Sequence, residues 1–385
     1  MRIGFIIYGE LTTLTGGYLY DRIVVQGLRR IGHEVEVIGL AGGSYLQRLG
    51  HGVSSRLTRR LLAGRFDILI QDELCHPSLF LVNERLRRQD GPLLVTLVHH
   101  VLCREPRGRW RNALLAVAER RYLASVDGFI HNSKTTQQTV AALVSHDRPQ
   151  VIASPAGDRF GSPLSSEAIG KRTFSPGALE LLFLGNVIPR KGLLPLLRAL
   201  AGIDRDIWRL SVVGGLDFDP AHAAEARQLA GQLGLSGSVR FLGPLKEGEL
   251  IEILSASHLF SMPYAYEGFG IAILEAMAFG LPAIGCRDGA AGETIEHGTN
   301  GFLLGSGDLV GLKPLLTQLH RDRERLLELS LAAGATYGRS PSWQDSVATI
   351  DGFLLKMKGL RDEGKLAGPA TNRDTSRGMD ANATG

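Results

Sequence analysis

The feature that most restricts this chain is a repeated alternation. A short β-rich apolar run is followed by a Gly/Ser/Asp turn and then an amphipathic segment. Arg2–Tyr8 (RIGFIIY) reads as a buried strand. Gly17–Ile31 reads as a helix with Leu19, Ile23, Val24, Leu28 and Ile31 on one face. Strand-like runs follow at Glu34–Gly39, Asp67–Ile70, Leu93–Val98, Gly128–His131 and Val151–Ala153. Continuously apolar strands that alternate with helices predict a parallel α/β sheet covered on both faces.

The alternation pauses over Ala156–Ala178, a Gly/Ser/Pro-rich stretch. It restarts at Leu179–Leu184 and runs through Leu210–Val213, Val239–Phe241, His258–Ser261, Ala283–Gly285 and Phe302–Leu304. The pattern predicts two doubly wound Rossmann-like domains facing across a cleft. Their bounds are 1–160 and 179–342, joined by a linker over 161–178. A last amphipathic segment, 343–358, is available to return to the first domain. Residues 361–385 are polar, free of aromatics and expected to be a disordered tail. Ligands of open α/β sheets bind beyond the carboxyl ends of the strands, so functional residues are expected in the loops after them.

Composition excludes several classes. With 44% hydrophobic and 21% charged residues the chain has enough apolar surface for packed cores. A net charge of +4 is far from that of a strongly basic nucleic-acid binder, so no nucleic-acid partner is expected. The charge is uneven, however. Residues 1–150 hold 20 Lys+Arg against 13 Asp+Glu, whereas residues 151–385 hold 23 against 26. Three Cys (75, 103, 286) form no disulfide framework and no zinc pattern. No signal-peptide pattern and no run of about 18 apolar residues is present, so a cytoplasmic protein is expected.

Three constellations carry chemistry. Thr12–Gly17 lies between the first strand and first helix, and Gly16-Gly17 permits a phosphate to approach the backbone ahead of a helix N-terminus. It is not GxGxxG, and no acid ends the second strand, which disfavours a dinucleotide oxidoreductase. Gly185–Gly192 places Arg190 and Lys191 after a strand, as a clamp for a diphosphate. Glu267–Pro282 (EGFGIAILEAMAFGLP) is the most specific. Read as one helix, Glu267 and Glu275 are eight residues apart, within about 80° of one face. Two such carboxylates suit a sugar and a ribose.

With these three elements, residues 1–358 resemble a retaining GT-B glycosyltransferase of the glycosyltransferase family 4 type. The Asp288–Glu293 and His297–Phe302 segments are similar to later loops of that family. The resemblance implies a nucleotide-sugar donor in the C-terminal domain and a glycan or lipid-linked acceptor in the N-terminal domain. Arg190 and Lys191 would hold the diphosphate, and Glu275 the ribose. Glu267 with Gly268, Phe269 and Gly270 would hold the sugar, Gly16 and Gly17 would approach the phosphates, and Leu245 would meet the base. His99, with His100 as the alternate, would face the reacting sugar from a strand end. No cofactor and no metal are implied; Asp217-Phe-Asp219 has a D-x-D form but lies in an ordinary loop. The family commonly has Arg where this chain has Asn186.

The expected reaction is metal-independent transfer of a sugar to an acceptor hydroxyl with retention. A nucleotide-sugar epimerase of the same architecture, or a non-catalytic nucleotide-sugar-binding partner subunit, are the alternatives. On the acceptor side the candidates are Gln71-Asp72-Glu73 and Glu105. Two Arg-rich amphipathic stretches, Tyr45–Phe66 and Arg104–Tyr122, point to peripheral contact with an anionic membrane.

Overall fold

The alternation read from the sequence builds two parallel sheets in the computed structural model, which describes residues 1–13, 15–105, 108–144, 147–263, 267–305 and 309–366. The N-terminal half runs β1 (Arg2–Tyr8), α1 (Gly16–Ile31), β2 (Glu34–Leu40), α2 (Tyr45–Val53), α3 (Ser55–Ala63), β3 (Ile68–Asp72), α4 (His76–Arg87), β4 (Leu93–Val98), α5 (Arg109–Leu123), β5 (Gly128–His131), α6 (Lys134–Ala141) and β6 (Gln150–Ile152). Then follow α7 (Ser166–Thr173), β7 (Leu179–Leu184), α8 (Leu193–Ala201), β8 (Trp208–Val213), α9 (Pro220–Gln232), β9 (Val239–Gly243), α10 (Glu247–Ala256), β10 (Leu259–Ser261), α11 (Ile271–Ala278), β11 (Ala283–Cys286), β12 (Gly301–Leu304), α12 (Leu312–Arg321), α13 (Arg323–Arg339) and α14 (Trp343–Asp362). The sheets have the orders β2-β1-β3-β4-β5-β6 and β12-β11-β10-β7-β8-β9, with every pairing parallel.

In both sheets the central strands are buried on both faces, which is why they read as unbroken apolar runs. Ile3, Phe5, Ile6 and Ile7 of β1 are fully buried, as are Leu181, Leu182 and Phe183 of β7. Each such side chain contributes about 1.5–3 kcal/mol on burial. Polar termination sets the helix limits. Thr15 caps α1 by accepting from the Tyr18 amide, and Gly32 ends it with φ +105°.

α14 belongs to the N-terminal core. Trp343, Ile350, Phe353, Leu354 and Met357 pack with β1, β3 and β4 residues. His33 pairs with Asp351 at 2.7 Å, and Lys358 with Asp67 at 2.7 Å. A Cβ at Gly27 of α1 would lie 2.6 Å from the Val347 methyls, so α1 and α14 touch backbone-close only because residue 27 is Gly. The helix extends to Asp362, four residues past the bound read from its apolar period, because Arg361 there still finds a partner in Asp90. The expected disordered tail thus begins inside a helix, and residues 367–385 lie outside the described residues.

Residues 161–178, read as a linker from composition, contain α7. Its Arg172 donates to the carbonyls of Phe279 (2.7 Å) and Gly280 (2.9 Å), which docks α7 on the C-terminal half. The Gly/Ser/Pro content lies at the ends of the stretch and hides this helix from a compositional reading.

Candidate active site

Most of the functional candidates lie in loops that follow strand carboxyl ends. On the C-terminal side, β7 leads into a loop in which Asn186 Oδ1 accepts from the Gly215 amide at 3.1 Å. Asn186 thus ties the β7 loop to the β8 loop, a contact an Arg side chain, which has no acceptor atom, could not make. Pro189–Lys191 forms a 3₁₀ turn, and Gly192, with φ +75°, precedes α8. Arg190 and Lys191 therefore stand just before the helix and not in its first turn. Arg190 Nη1 donates to Glu267 Oε2 at 3.0 Å, and Lys191 Nζ donates to the same oxygen at 2.6 Å.

This convergence sets the charges. Burial alone would raise the Glu267 carboxyl, but Lys191 and Arg190 outweigh it and hold it at about 2. Burial lowers Lys191, and Glu267 restores only part of the loss. Glu267 is an anion shared by two cations, the arrangement expected of a site made to exchange that anion for a ligand's.

Glu267 is not on the following helix. Gly270 has φ +90° and caps α11, which starts at Ile271. The reading that places Glu267 and Glu275 on one helical face is corrected accordingly: the glycines after Glu267 break the period. Glu275 lies mid-helix and is 3% exposed. It accepts from Arg159 Nε at 2.5 Å and Nη2 at 3.3 Å. Burial raises its carboxyl, and Arg159 opposes the rise. Arg159 does not stand out in the sequence; it is one of three cations in the Gly/Ser/Pro-rich stretch, and only the fold pairs it with Glu275. Tyr264–Tyr266, which precede Glu267, lie outside the described residues.

On the N-terminal side, His99 follows β4 and its Nε2–H donates to Asp21 Oδ1 at 2.8 Å. Burial disfavours a charged imidazole here, but Asp21, then Asp72 and Glu73, outweigh it and raise His99 to about 9. Tyr20 meets the ring edge-on at 5.4 Å. Gly17 packs on the same ring, where a Cβ would fall 3.4 Å away, while Gly16 faces Ile271 of α11. Leu14 of that loop lies outside the described residues. His100 turns away from this cluster to Glu105 at 2.8 Å.

Asp21 is a site residue that sequence reading misses. Its signal is an acid on the buried face of α1, four residues after Gly17, where an apolar residue is expected. The acceptor-side candidates Gln71, Asp72 and Glu73 are 0%, 2% and 0% exposed. They are corrected from open cleft residues to a buried polar cluster, because β3 is covered on both faces up to its last residue. Glu105 is engaged by His100. Leu245 is half-buried two residues after Gly243, the last residue of β9. Asp219 of the D-x-D segment caps α9 by accepting from the His222 amide at 3.0 Å.

The two edges meet. Ser133 Oγ donates to the Gly268 carbonyl at 2.6 Å, and Asn132 Nδ2 to the His99 carbonyl at 2.8 Å. Glu293 accepts from the Lys134 and Thr135 amides at 2.9 and 2.7 Å, at the positive end of α6. Arg190, Lys191, Glu267, Gly268, Gly17, His99 and Asp21 thereby surround one place between the sheets. Such a place suits an anionic, hydroxyl-rich ligand: cations and backbone amides for phosphate, and carboxylates for sugar hydroxyls.

The Arg-rich stretches form α2, α3 and α5, and α2 and α5 both pack on α4. Leu46, Trp110 and Leu114 are 78%, 87% and 75% exposed there, beside exposed Arg56, Arg59, Arg120 and Arg121. Arg107 lies outside the described residues. Among the described residues no helix is long and apolar enough to cross a membrane.

Residues 166–333 match the family described as glycosyl transferases group 1. The chain is similar to the D-inositol 3-phosphate glycosyltransferase of Nocardia farcinica, 25% identical over 368 residues, covering 85% of this chain and 81% of the relative. In fold it is similar to sucrose-phosphate synthase from Thermosynechococcus elongatus, with a TM-score of 0.76, 19% identity and coverage of 94% and 98% of the two chains. HepE of Anabaena in complex with UDP and glucose superposes with a TM-score of 0.74 at 19% identity, over 92% of this chain and 99% of that one.

Proposed function

We propose that this chain, a glycosyltransferase of GT-B fold whose residues 166–333 form a glycosyl transferases group 1 domain, moves a sugar from a nucleoside diphosphate sugar to the hydroxyl of an anionic acceptor. Anomeric configuration is retained, and no metal sits on the diphosphate. The observation that carries this reading is the convergence of Arg190 and Lys191 on Glu267, next to Gly268, whose backbone meets that of His99.

In the donor-bound state the diphosphate takes the place of Glu267 as partner of the two cations, which neutralise the charge that builds on the leaving group. Glu267, released from them, accepts from sugar hydroxyls, and the Gly268–Gly270 segment supplies backbone contacts. Glu275 binds the ribose on one oxygen while Arg159 holds the other. Leu245 lies beside the base. Asp21 keeps His99 protonated and oriented toward the sugar. Attack from the face of the departing phosphate, with that phosphate taking the acceptor proton, gives retention without a protein nucleophile.

Support for a UDP donor comes from a fold neighbour captured with UDP and glucose. Support for a phosphorylated acceptor comes from relatives named for D-inositol 3-phosphate and from Arg48. That side chain stacks at 4.2 Å on Tyr8, at the cleft end of β1, with its Nε buried and unpartnered. The exposed apolar and Arg side chains of α2, α3 and α5 support peripheral contact with an anionic membrane, which liposome co-sedimentation with and without anionic lipid tests.

The deciding experiment incubates the purified chain with a panel of nucleotide sugars and phosphorylated or lipid acceptors. An α-linked product from an α-linked donor supports the reading. A β-linked product overturns retention, and epimerised free sugar released without acceptor assigns the chain to the epimerase alternative.

A further inference from the structure

Away from the donor cations, the N-terminal domain buries a second polar cluster that the transfer does not use. Glu73 comes from the turn between β3 and α4, His76 is the first residue of α4, and Glu119 comes from α5. All three are 0% exposed. One ligand atom from each lies within 4.8 Å of the others. Two buried carboxylates side by side require a proton or a cation between them.

The hydrogen bonds leave room for the cation. Outside His76 and Glu119 themselves, neither oxygen of Glu73 has a hydrogen-bond partner among the described residues, an uncommon condition for a fully buried carboxylate. His76 Nδ1 lies 3.2 Å from Glu73 Oε1 and 3.1 Å from the Glu73 carbonyl, and its Nε2 lies 3.1 Å from the Tyr45 hydroxyl. If Nε2 carries the proton and donates to Tyr45, the Nδ1 lone pair faces oxygen lone pairs, and a proton on Glu73 or a metal ion between them makes that arrangement favourable. A ring nitrogen whose partner nitrogen is fixed by an outer hydrogen bond is the usual form of a metal-bound His. Glu119 is oriented in the same way: its oxygens accept from the Leu102 and Cys103 amides at 2.6 and 3.1 Å and from the Cys103 thiol, which still leaves a lone pair for an ion.

We propose that Glu73, His76 and Glu119 bind one divalent transition-metal ion, zinc or manganese, as a structural centre of the N-terminal domain. Two carboxylates and an imidazole are the donor set that such ions accept. Neighbouring ligands in a tetrahedral zinc shell are about 3.3 Å apart, so a contraction of at most about 1.5 Å brings all three onto one ion, with water as the fourth ligand. The bound ion cross-links the start of α4 to α5. Through Glu119 it also fixes the loop at 101–105, whose Glu105 holds His100 beside the cleft. The spacing Glu73-x-x-His76 is too common, and Glu119 too distant in sequence, for the set to show as a motif.

The test uses the full chain, stripped with chelator and confirmed folded by a cooperative melt, then titrated with zinc chloride or manganese chloride. The expected result is uptake of about one ion per chain with a rise in melting temperature. Glu73→Gln, which keeps the shape and removes the charge, is expected to weaken uptake at least tenfold while melting, metal-free, no lower than the parent. Zinc-edge absorption on the parent chain reads the ligands independently of any variant, and nitrogen and oxygen ligands with an imidazole signature are expected. No uptake by the folded chain, uptake unchanged in Glu73→Gln, or sulfur ligation by the cysteines would each overturn the proposal, the first by showing that the carboxylates share a proton.

Discussion

Gly268 lies against the backbone of His99 so closely that a methyl group in place of its hydrogen would stand 1.9 Å from the His99 carbonyl oxygen. The two residues belong to opposite sheets, and their contact sets the gap across which donor and acceptor must meet. Gly268→Ala is expected to wedge this gap by more than an ångström and lower kcat/KM by about 10²-fold or more. The fold of each half is untouched, so the melting temperature should change little. Steady-state kinetics and a thermal melt check both halves of this statement.

Removing the ammonium at Lys191 tests the donor side. Lys191→Ala is expected to cost about 10²- to 10³-fold in kcat, as for loss of a group that stabilises charge only as it develops. Glu275→Ala is expected to differ, losing turnover and also stability. It strands Arg159, and breaking a buried ion pair on one side costs about 3–5 kcal/mol, less here because Arg159 is partly exposed. Arg159→Ala with parental activity would contradict the role given to this pair.

The Asp21–His99 pair predicts a pH signature. His99 is raised from 6.5 to about 9, so its stabilising contribution is complete below about pH 6.5 and is lost as pH rises through about 9. Asp21→Asn removes the acid that hydrogen-bonds His99. The melting-temperature gap between parent and variant is therefore expected to be widest below pH 6.5 and to narrow toward pH 9 and above. A gap that widens with pH would show that His99 is neutral in the folded protein.

How much of this is legible in the sequence depends on the kind of interaction. Strands such as β1 and β7 announce themselves because two covered faces demand an unbroken apolar run. The residues of the loop Glu267–Gly270 identify it but misplace it, because counting 100° per residue presumes a helix that Gly270, with its positive φ, does not begin until Ile271. Asp21 and His99 are 78 positions apart, and Arg159 and Glu275 are 116 apart. Neither pair has a spacing to read, since only the packing of α1 on β4 and of the 158–160 turn on α11 creates them. Gln71, Asp72 and Glu73 look available in the sequence because they are polar and end a strand; tertiary cover decides exposure, and it closes over them.

The returning helix makes a prediction independent of chemistry. Gly27→Ala forces a Cβ into Val347, 2.6 Å away, and is expected to cost about 1–3 kcal/mol of stability, a typical overpacking penalty. Activity per folded molecule should remain near the parent's, because no cleft residue moves. Denaturant midpoints paired with kinetics separate the two effects.

The donor assignment rests on Arg190 and Lys191, and calorimetric titration reads it without needing the acceptor. The parent chain and an Arg190→Ala/Lys191→Ala double variant are each titrated with UDP-glucose and related nucleotide sugars. Saturable binding of at least one donor by the parent is expected, weakened about 100-fold or more in the double variant while the fold is kept. Equal affinity in the two proteins, or no nucleotide sugar bound by the parent, would contradict the assignment.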